Sequence, residues 1–223
     1  MKNIAFIPAR GGSRSIPFKN IAPVGGKPLI YWTLKAAHES VRIEKTFVST
    51  DSDRIRETVL SFGFPDVEVV SRSAETASDM ATTESAMLEF AKEHTDFQNI
   101  CLIQATSPLL TAEDLDGGFE LYEKPETDSV FSGNRKYQFL WKDDGDYAKA
   151  TYDILHRPRR QDYPGYIVEN GAFYITGRDR LLETGCRFSG RIRVYEMKAN
   201  RIFEIDEPED FDVIAAIMAV RDK

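Results

Sequence analysis

The residues best suited to chemistry come near the start: Ala9-Arg10-Gly11-Gly12-Ser13-Arg14-Ser15-Ile16-Pro17-Phe18-Lys19-Asn20. Gly11, Gly12 and Ser13 are small enough to let backbone N–H groups approach a ligand, and Arg10, Arg14 and Lys19 put three cations into the same loop. A loop of this kind, delivered by a buried strand, makes a cradle for phosphate. No Gly-Lys-Ser/Thr closes it and no G-x-G-x-x-G opens it, so neither common nucleotide-loop pattern applies. Cations inside the loop suit gripping a triphosphate and stabilising a leaving pyrophosphate. The same residue types also suit a solvated basic turn.

Other constellations follow. Glu204 and Asp206 flank Ile205 on an extended stretch, so their carboxylates point to one side and can share a cation. One or two carboxylates completed by phosphate oxygens are how Mg²⁺ is usually held, although acidic residues ahead of a helix also suit its N-terminal dipole. Gln104 ends the apolar run Ile100–Ile103, where its carboxamide can both donate and accept. The following Thr106-Ser107-Pro108 reads equally well as a helix cap. Arg72, Ser73, Ser78, Asp79, Thr82 and Thr83 form a polar loop and helix entry that can read a base or ribose, or simply cap a helix. Arg157, Arg159 and Arg160 form the densest cation cluster, fit for a bidentate grip on a carboxylate or for a solvated loop or subunit contact. His38, His94 and His156 are scattered without metal-ligand spacing.

The elements that must position these residues alternate. Strands are expected at Ile4–Ala9, Thr46–Ser49, Val67–Val70 and Ile100–Gln104. Helices are expected around Pro28–Glu39, Asp53–Phe62, Thr83–His94 and Ala112–Tyr122. This βαβ rhythm predicts a mainly parallel α/β sheet covered on both faces, with ligands beyond the carboxyl ends of its strands. Arg10, Thr50-Asp51, Arg72 and Gln104 fall at those ends. The second half is less regular: strands are expected at Ser129–Ser132, Gly171–Ile175 and Ile192–Met197. The turn Asp143–Asp146 lies between two hairpin arms, and a last helix opens on Asp206-Glu207-Pro208-Glu209-Asp210. Residues 1–223 read as a single domain from which Asn134–Asp162 is an excursion suited to dimerisation.

At 223 residues and a net charge of −7, the chain is long enough for one large domain. It is too acidic for nucleic acid to be a general partner. No apolar run approaches the roughly 20 residues of a membrane span, and Met1-Lys2-Asn3 leads straight into a core strand with no signal-peptide pattern. Cys101 and Cys186 fall in different elements and read as reduced residues of a cytoplasmic protein.

Taken in order, Pro8–Asn20, Ser49-Thr50-Asp51, Arg72–Asp79, Gln104–Pro108, Arg157–Asp162 and Glu169–Tyr174 resemble the motifs of the acylneuraminate cytidylyltransferases, with features of the animal-type branch. The resemblance runs from Ile4 to about Ile217. Arg14 stands for the family's Lys, Ser15 for its Gly, and Glu204 for the first Asp of its Asp-Ile-Asp pair. The resemblance implies a Rossmann-like, three-layer nucleotidyltransferase fold, a homodimer, and Mg²⁺. It implies attack by the anomeric hydroxyl of a nonulosonic acid on the α-phosphate of CTP. Arg10, Lys19 and Asp206 would be catalytic, with Asp206 and Glu204 on the metal. Ala9, Arg10, Gly11, Gly12, Ser13, Asn20, Arg72, Ser78, Thr82 and Thr83 would bind the nucleotide, and Gln104, Arg160, Tyr174 and Phe188 the sugar acid. The alternatives are a 3-deoxy-manno-octulosonate cytidylyltransferase and a non-catalytic nucleotide-binding module.

Overall fold

The computed structural model describes residues 1–12 and 16–221. Eleven strands appear in chain order: β1 Asn3–Pro8, β2 Pro23–Val24, β3 Lys27–Pro28, β4 Lys45–Thr50, β5 Val67–Ser71, β6 Asn99–Ile103, β7 Ser129–Lys136, β8 Trp141–Asp143, β9 Ala148–Ala150, β10 Tyr166–Gly177 and β11 Ile192–Glu196. The helices are α1 Leu29–Glu39, α2 Asp53–Leu60, α3 Ala74–Ala77, α4 Thr83–Glu93, α5 Ala112–Tyr122, α6 Arg178–Thr184 and α7 Asp210–Arg221.

Seven strands form one sheet in the order β11-β7-β10-β6-β1-β4-β5. Every pairing is parallel except the two made by β10, which runs antiparallel to β6 and β7. Alternating side chains of each central strand feed two cores. Ala5, Ile7, Val48, Cys101 and Ile103 pack on one face with Ile30 and Leu34 of α1, Ile55 of α2 and Phe119 of α5. Ile4, Phe6, Phe47, Ile100 and Leu102 pack on the other with Met87 and Phe90 of α4 and Leu181 of α6. Helices therefore cover both faces, in three layers.

The starts of these helices follow from local chemistry. Ser52 caps α2 by accepting from the Ile55 N–H, Thr82 caps α4 by accepting from Ser85, and Thr111 closes a capping box with Asp114 at α5. The last helix begins later than its sequence suggests. Asp210 opens α7, and its carboxylate accepts from the Asp206 and Glu207 N–H groups at 2.8 Å each. Pro208 thus lies in a turn ahead of the helix rather than in its first turn. Glu204 and Asp206 sit on irregular backbone before it. Among the described residues no helix is long and apolar enough to cross a membrane.

Candidate active site

The carboxyl ends of β1, β4, β5 and β6 share one edge of the sheet. Because β10 runs the other way, its amino-terminal half reaches that same edge. Arg10 leaves β1 and turns its guanidinium to the end of α3, donating to the Ser78 carbonyl at 2.9 Å and pairing with Asp79 at 3.0 Å. The buried Asn20 donates to the Arg10 carbonyl at 3.2 Å, fixing the loop from its far end. Asp51, just past β4, accepts from the Gly11 N–H at 2.8 Å. Ser13 and Arg14 lie outside the described residues.

Arg72 follows β5 and is half-buried. Its guanidinium donates to the Thr76 carbonyl, while its buried Nε has no hydrogen-bond partner among the described residues. Burial pulls this guanidinium below the usual arginine value; Asp51 opposes that and Arg10 adds to it. Glu89 on α4 accepts from the Thr76 hydroxyl at 2.6 Å and so holds the turn to which Arg72 is tied. Thr82 and Thr83 lie at the start of α4, with the Thr82 hydroxyl engaged as the cap.

A second group forms where the irregular stretch before α7 meets the turn after β6. The Ile205 N–H donates to the Thr106 carbonyl at 2.9 Å, and the Gln104 N–H donates to Ala172 of β10 at 3.1 Å. Into this junction comes Lys19, whose Nζ donates to the Ile205 carbonyl at 2.9 Å and to Asp206 Oδ1 at 3.1 Å. The residue before it, Phe18, has φ 52°, a strained left-handed conformation for a residue with a Cβ, and its ring carries the Arg54 guanidinium 4.6 Å from the centroid.

Burial pushes the Glu204 carboxyl up to about 7; Asp206 and Glu169 push the same way and Lys19 opposes them. Gly171 allows this approach: its φ is +68°, and a Cβ there would lie 2.6 Å from a Glu204 carboxylate oxygen. Asn134, Lys136, Glu169, Asn170, Glu204 and Asp206 line a cavity of about 320 Å³ at this edge. Among the described residues no three His, Cys, Asp or Glu side chains come together to hold a metal. A cation here would rest on Glu204 and Asp206 and on oxygens of a ligand, which suits Mg²⁺.

Tyr174 of β10 is almost fully buried, with its hydroxyl donating to Glu169 and the Phe188 ring edge-on at 5.4 Å. The excursion expected at Asn134–Asp162 spans 137–165 instead, because Asn134–Lys136 complete β7 and β10 starts only at Tyr166; Arg160 lies apart on this segment, exposed in a short 3₁₀ turn. In that segment Arg157 stacks over Phe139 at 4.4 Å, and Arg159 pairs with Asp162 at 2.7 Å. The structure thus gathers Arg10, Asn20, Arg72 and Ser78 in one group and Lys19, Glu204 and Asp206 in another. Asp51 and Glu169, given no site role from the sequence, also stand at this edge, while Asp79, expected in the loop that reads a base or ribose, pairs with Arg10.

This edge, with its glycine-rich cationic loop on a three-layer sheet, defines a nucleotidyltransferase-type fold. Residues 4–221 match the family model described as "Cytidylyltransferase", and the chain belongs to that family. It is 39% identical over 214 residues to N-acylneuraminate cytidylyltransferase A of Danio rerio, covering 94% of this chain and 49% of the relative. It is 35% identical over 218 residues to the N-acylneuraminate cytidylyltransferase of Streptococcus agalactiae serotype V, covering 95% and 52%. The chain therefore spans about half the length of these relatives. Among solved structures, CMP:2-keto-3-deoxy-manno-octonic acid synthetase complexed with CTP superposes with a TM-score of 0.74 at 19% identity, covering 99% of this chain and 100% of that one. The 4-diphosphocytidyl-2C-methyl-D-erythritol synthase of Anaerococcus prevotii gives 0.73 at 17%, covering 98% and 96%. At these identities the superpositions speak for the fold alone.

Proposed function

We propose that this chain transfers CMP from CTP to the anomeric hydroxyl of a nonulosonic acid, releasing pyrophosphate. The observation that carries the reading is the meeting of Lys19, Asp206 and Glu204 beside the Arg10 loop, at the edge where such sheets take their ligands. The acceptor's anomeric hydroxyl gives its proton to solvent, its oxygen bonds to the α-phosphorus, and the bond from that phosphorus to the bridging oxygen of pyrophosphate breaks. Such a transfer needs positioning and charge stabilisation more than covalent help from the protein. Arg10, Lys19 and the N–H groups of Gly11 and Gly12 supply fixed positive potential where negative charge builds on the leaving pyrophosphate. Asn20, Arg72, Ser78, Thr82 and Thr83 hold the nucleoside. Gln104, Phe188 and, from the 137–165 segment, Arg160 take the sugar acid, with the buried Tyr174 ring packed against Phe188 behind them.

Mg²⁺ held by Asp206 and Glu204 would supply further neutralisation of phosphate charge. Glu204, raised first by burial and then by Asp206 and Glu169, stands where a bound cation would offset clustered negative charge. We place the protein in the cytoplasm as a homodimer joined through the 137–165 segment, where Trp141, Tyr147, Ile154 and Leu155 stand between 54% and 84% exposed.

The test is pyrophosphate release with CTP, ATP and GTP against a panel of acids: N-acetylneuraminic acid, its deaminated analogue, and 3-deoxy-manno-octulosonic acid. CTP with a nine-carbon acid is expected to give the highest kcat/KM. Preference for the eight-carbon acid would move the chain to the octulosonate reaction. CTP binding without turnover of any acid would leave a nucleotide-binding module.

A further inference from the structure

Arg187 lies between α6 and β11, next to Phe188, and its side chain is only 14% exposed. Its Nε donates to Glu84 Oε1 at 2.5 Å, and its guanidinium lies 4.8 Å from the centroid of the Tyr174 ring. Glu84 is the second residue of α4, directly after Thr82 and Thr83. One guanidinium therefore touches both the helix start assigned to the nucleotide and the ring assigned to the acceptor. Beyond it the Tyr174 hydroxyl donates to Glu169, which lines the cavity with Glu204 and Asp206.

A partly buried ion pair is a poor way to gain stability, since desolvation offsets much of the Coulombic attraction, and apolar residues of like volume often serve as well. What the pair gives that apolar packing does not is direction. A planar guanidinium held at one edge by a carboxylate fixes the plane against which an aromatic ring stacks. Fixing the Tyr174 ring also fixes the line along which its hydroxyl meets Glu169.

We propose that Arg187 is a positioning residue: held by Glu84 at the start of α4, it sets the Tyr174 wall of the acceptor side from the nucleotide side of the site. This rests on the CMP-transfer reading above and deepens it. Occupation of the nucleotide side steadies the start of α4, and the Glu84–Arg187 pair passes that order to β10.

The test has two arms. In steady-state kinetics, Arg187→Met is expected to raise the KM for the acid at least tenfold and to lower kcat, with the KM for CTP changed less than twofold. Arg187→Lys, which keeps a charge beside Glu84 but cannot stack as a plane, should recover part of the loss; it is the variant to read if Arg187→Met does not fold. In a Tyr174→Phe background, Arg187→Met should add less than it does alone, because both act through one ring. In hydrogen exchange, CTP is expected to slow the amides of residues 169–174 in the unaltered protein and not in Arg187→Met.

A lower melting temperature with unchanged acid KM, or an equal rise in both KM values, would overturn the proposal. If the unaltered protein turned over no acid, the transfer reading would fail and the exchange arm would still decide. CTP-dependent protection that vanishes in Arg187→Met supports the linkage, and protection that persists refutes it.

Discussion

At the scale of single residues, three donors suited to phosphate are each engaged by an acid: Gly11 by Asp51, Arg10 by Asp79 and Lys19 by Asp206. Lys19→Ala is expected to lower kcat by about 10²-fold or more, the scale for losing one preorganised donor to transition-state charge. Its cost in stability should stay near 1 kcal/mol, since it removes one hydrogen bond to a carbonyl and one half-exposed ion pair. Single-turnover rates and denaturant melts together check this. Asp206→Asn should lose most activity at every attainable Mg²⁺ concentration, while Glu204→Asp should be tolerated. Initial rate against Mg²⁺ for both variants decides, and a wild-type rate for Asp206→Asn would remove the metal role. The Glu84–Arg187 pair adds a pH signature. Burial pushes the Glu84 carboxyl up, but the hydrogen bond from Arg187, one from its own backbone N–H and the charge of Arg187 outweigh it and hold the group below its ordinary value. A carboxyl lowered by folding stabilises above its unfolded pKa, and that stability is lost as pH falls through its folded value. Glu84→Gln should therefore lower the melting temperature at neutral pH and narrow its gap to the unaltered protein below about pH 4. A gap independent of pH would contradict the assignment.

At the scale of elements, the parallel half of the sheet was legible because β1, β4, β5 and β6 are short runs rich in β-branched and apolar residues, separated by amphipathic helices. The ends of those strands then named Arg10, Arg72 and Gln104 without further help. The partners of these residues were harder to read, because no pattern in a single chain says that Lys19 meets Asp206 or that Asp51 meets Gly11. The second half resisted for a different reason. Along β10 the partner of Glu169 is Gly133 and that of Tyr174 is Phe131, so surplus residues interrupt the ladder and blur its alternation. Only Gly171–Ile175 read as a strand, while the structure extends it to Tyr166–Gly177. The short helix α6, bounded by Gly177 and Gly185, left too little periodicity to detect. Packing of α5 on β10 depends on a missing side chain at Gly118. A Cβ there would lie 2.5 Å and 2.7 Å from atoms of the buried Phe173 ring. Gly118→Ala should therefore destabilise by about 1–3 kcal/mol despite the better helix propensity of alanine. A denaturant midpoint at or above that of the unaltered protein would show that Phe173 can move aside.

At the scale of the whole molecule, the 137–165 segment joins two strands that are already paired at its base, where Tyr166 lies opposite Lys136. Its stacked side chains, Arg157 on Phe139 and Phe139 beside Tyr152 and Tyr163, hold it together independently of the main cores. If it joins two copies, replacing it with a short β-turn should leave a folded monomer by sedimentation while the intact chain sediments as a dimer. The same number of chains per particle in both would remove its assembly role. The closed base also carries a chain-entropy consequence. Shortening a loop of about thirty residues to about four lowers the entropy cost of closure by roughly 1.8 kcal/mol. The trimmed domain is then expected to melt no lower than the intact chain at high dilution, unless the excised segment's own stacking exceeds that sum. Retention of such a long loop would have to be explained by what it does, because the sheet beneath it closes without it.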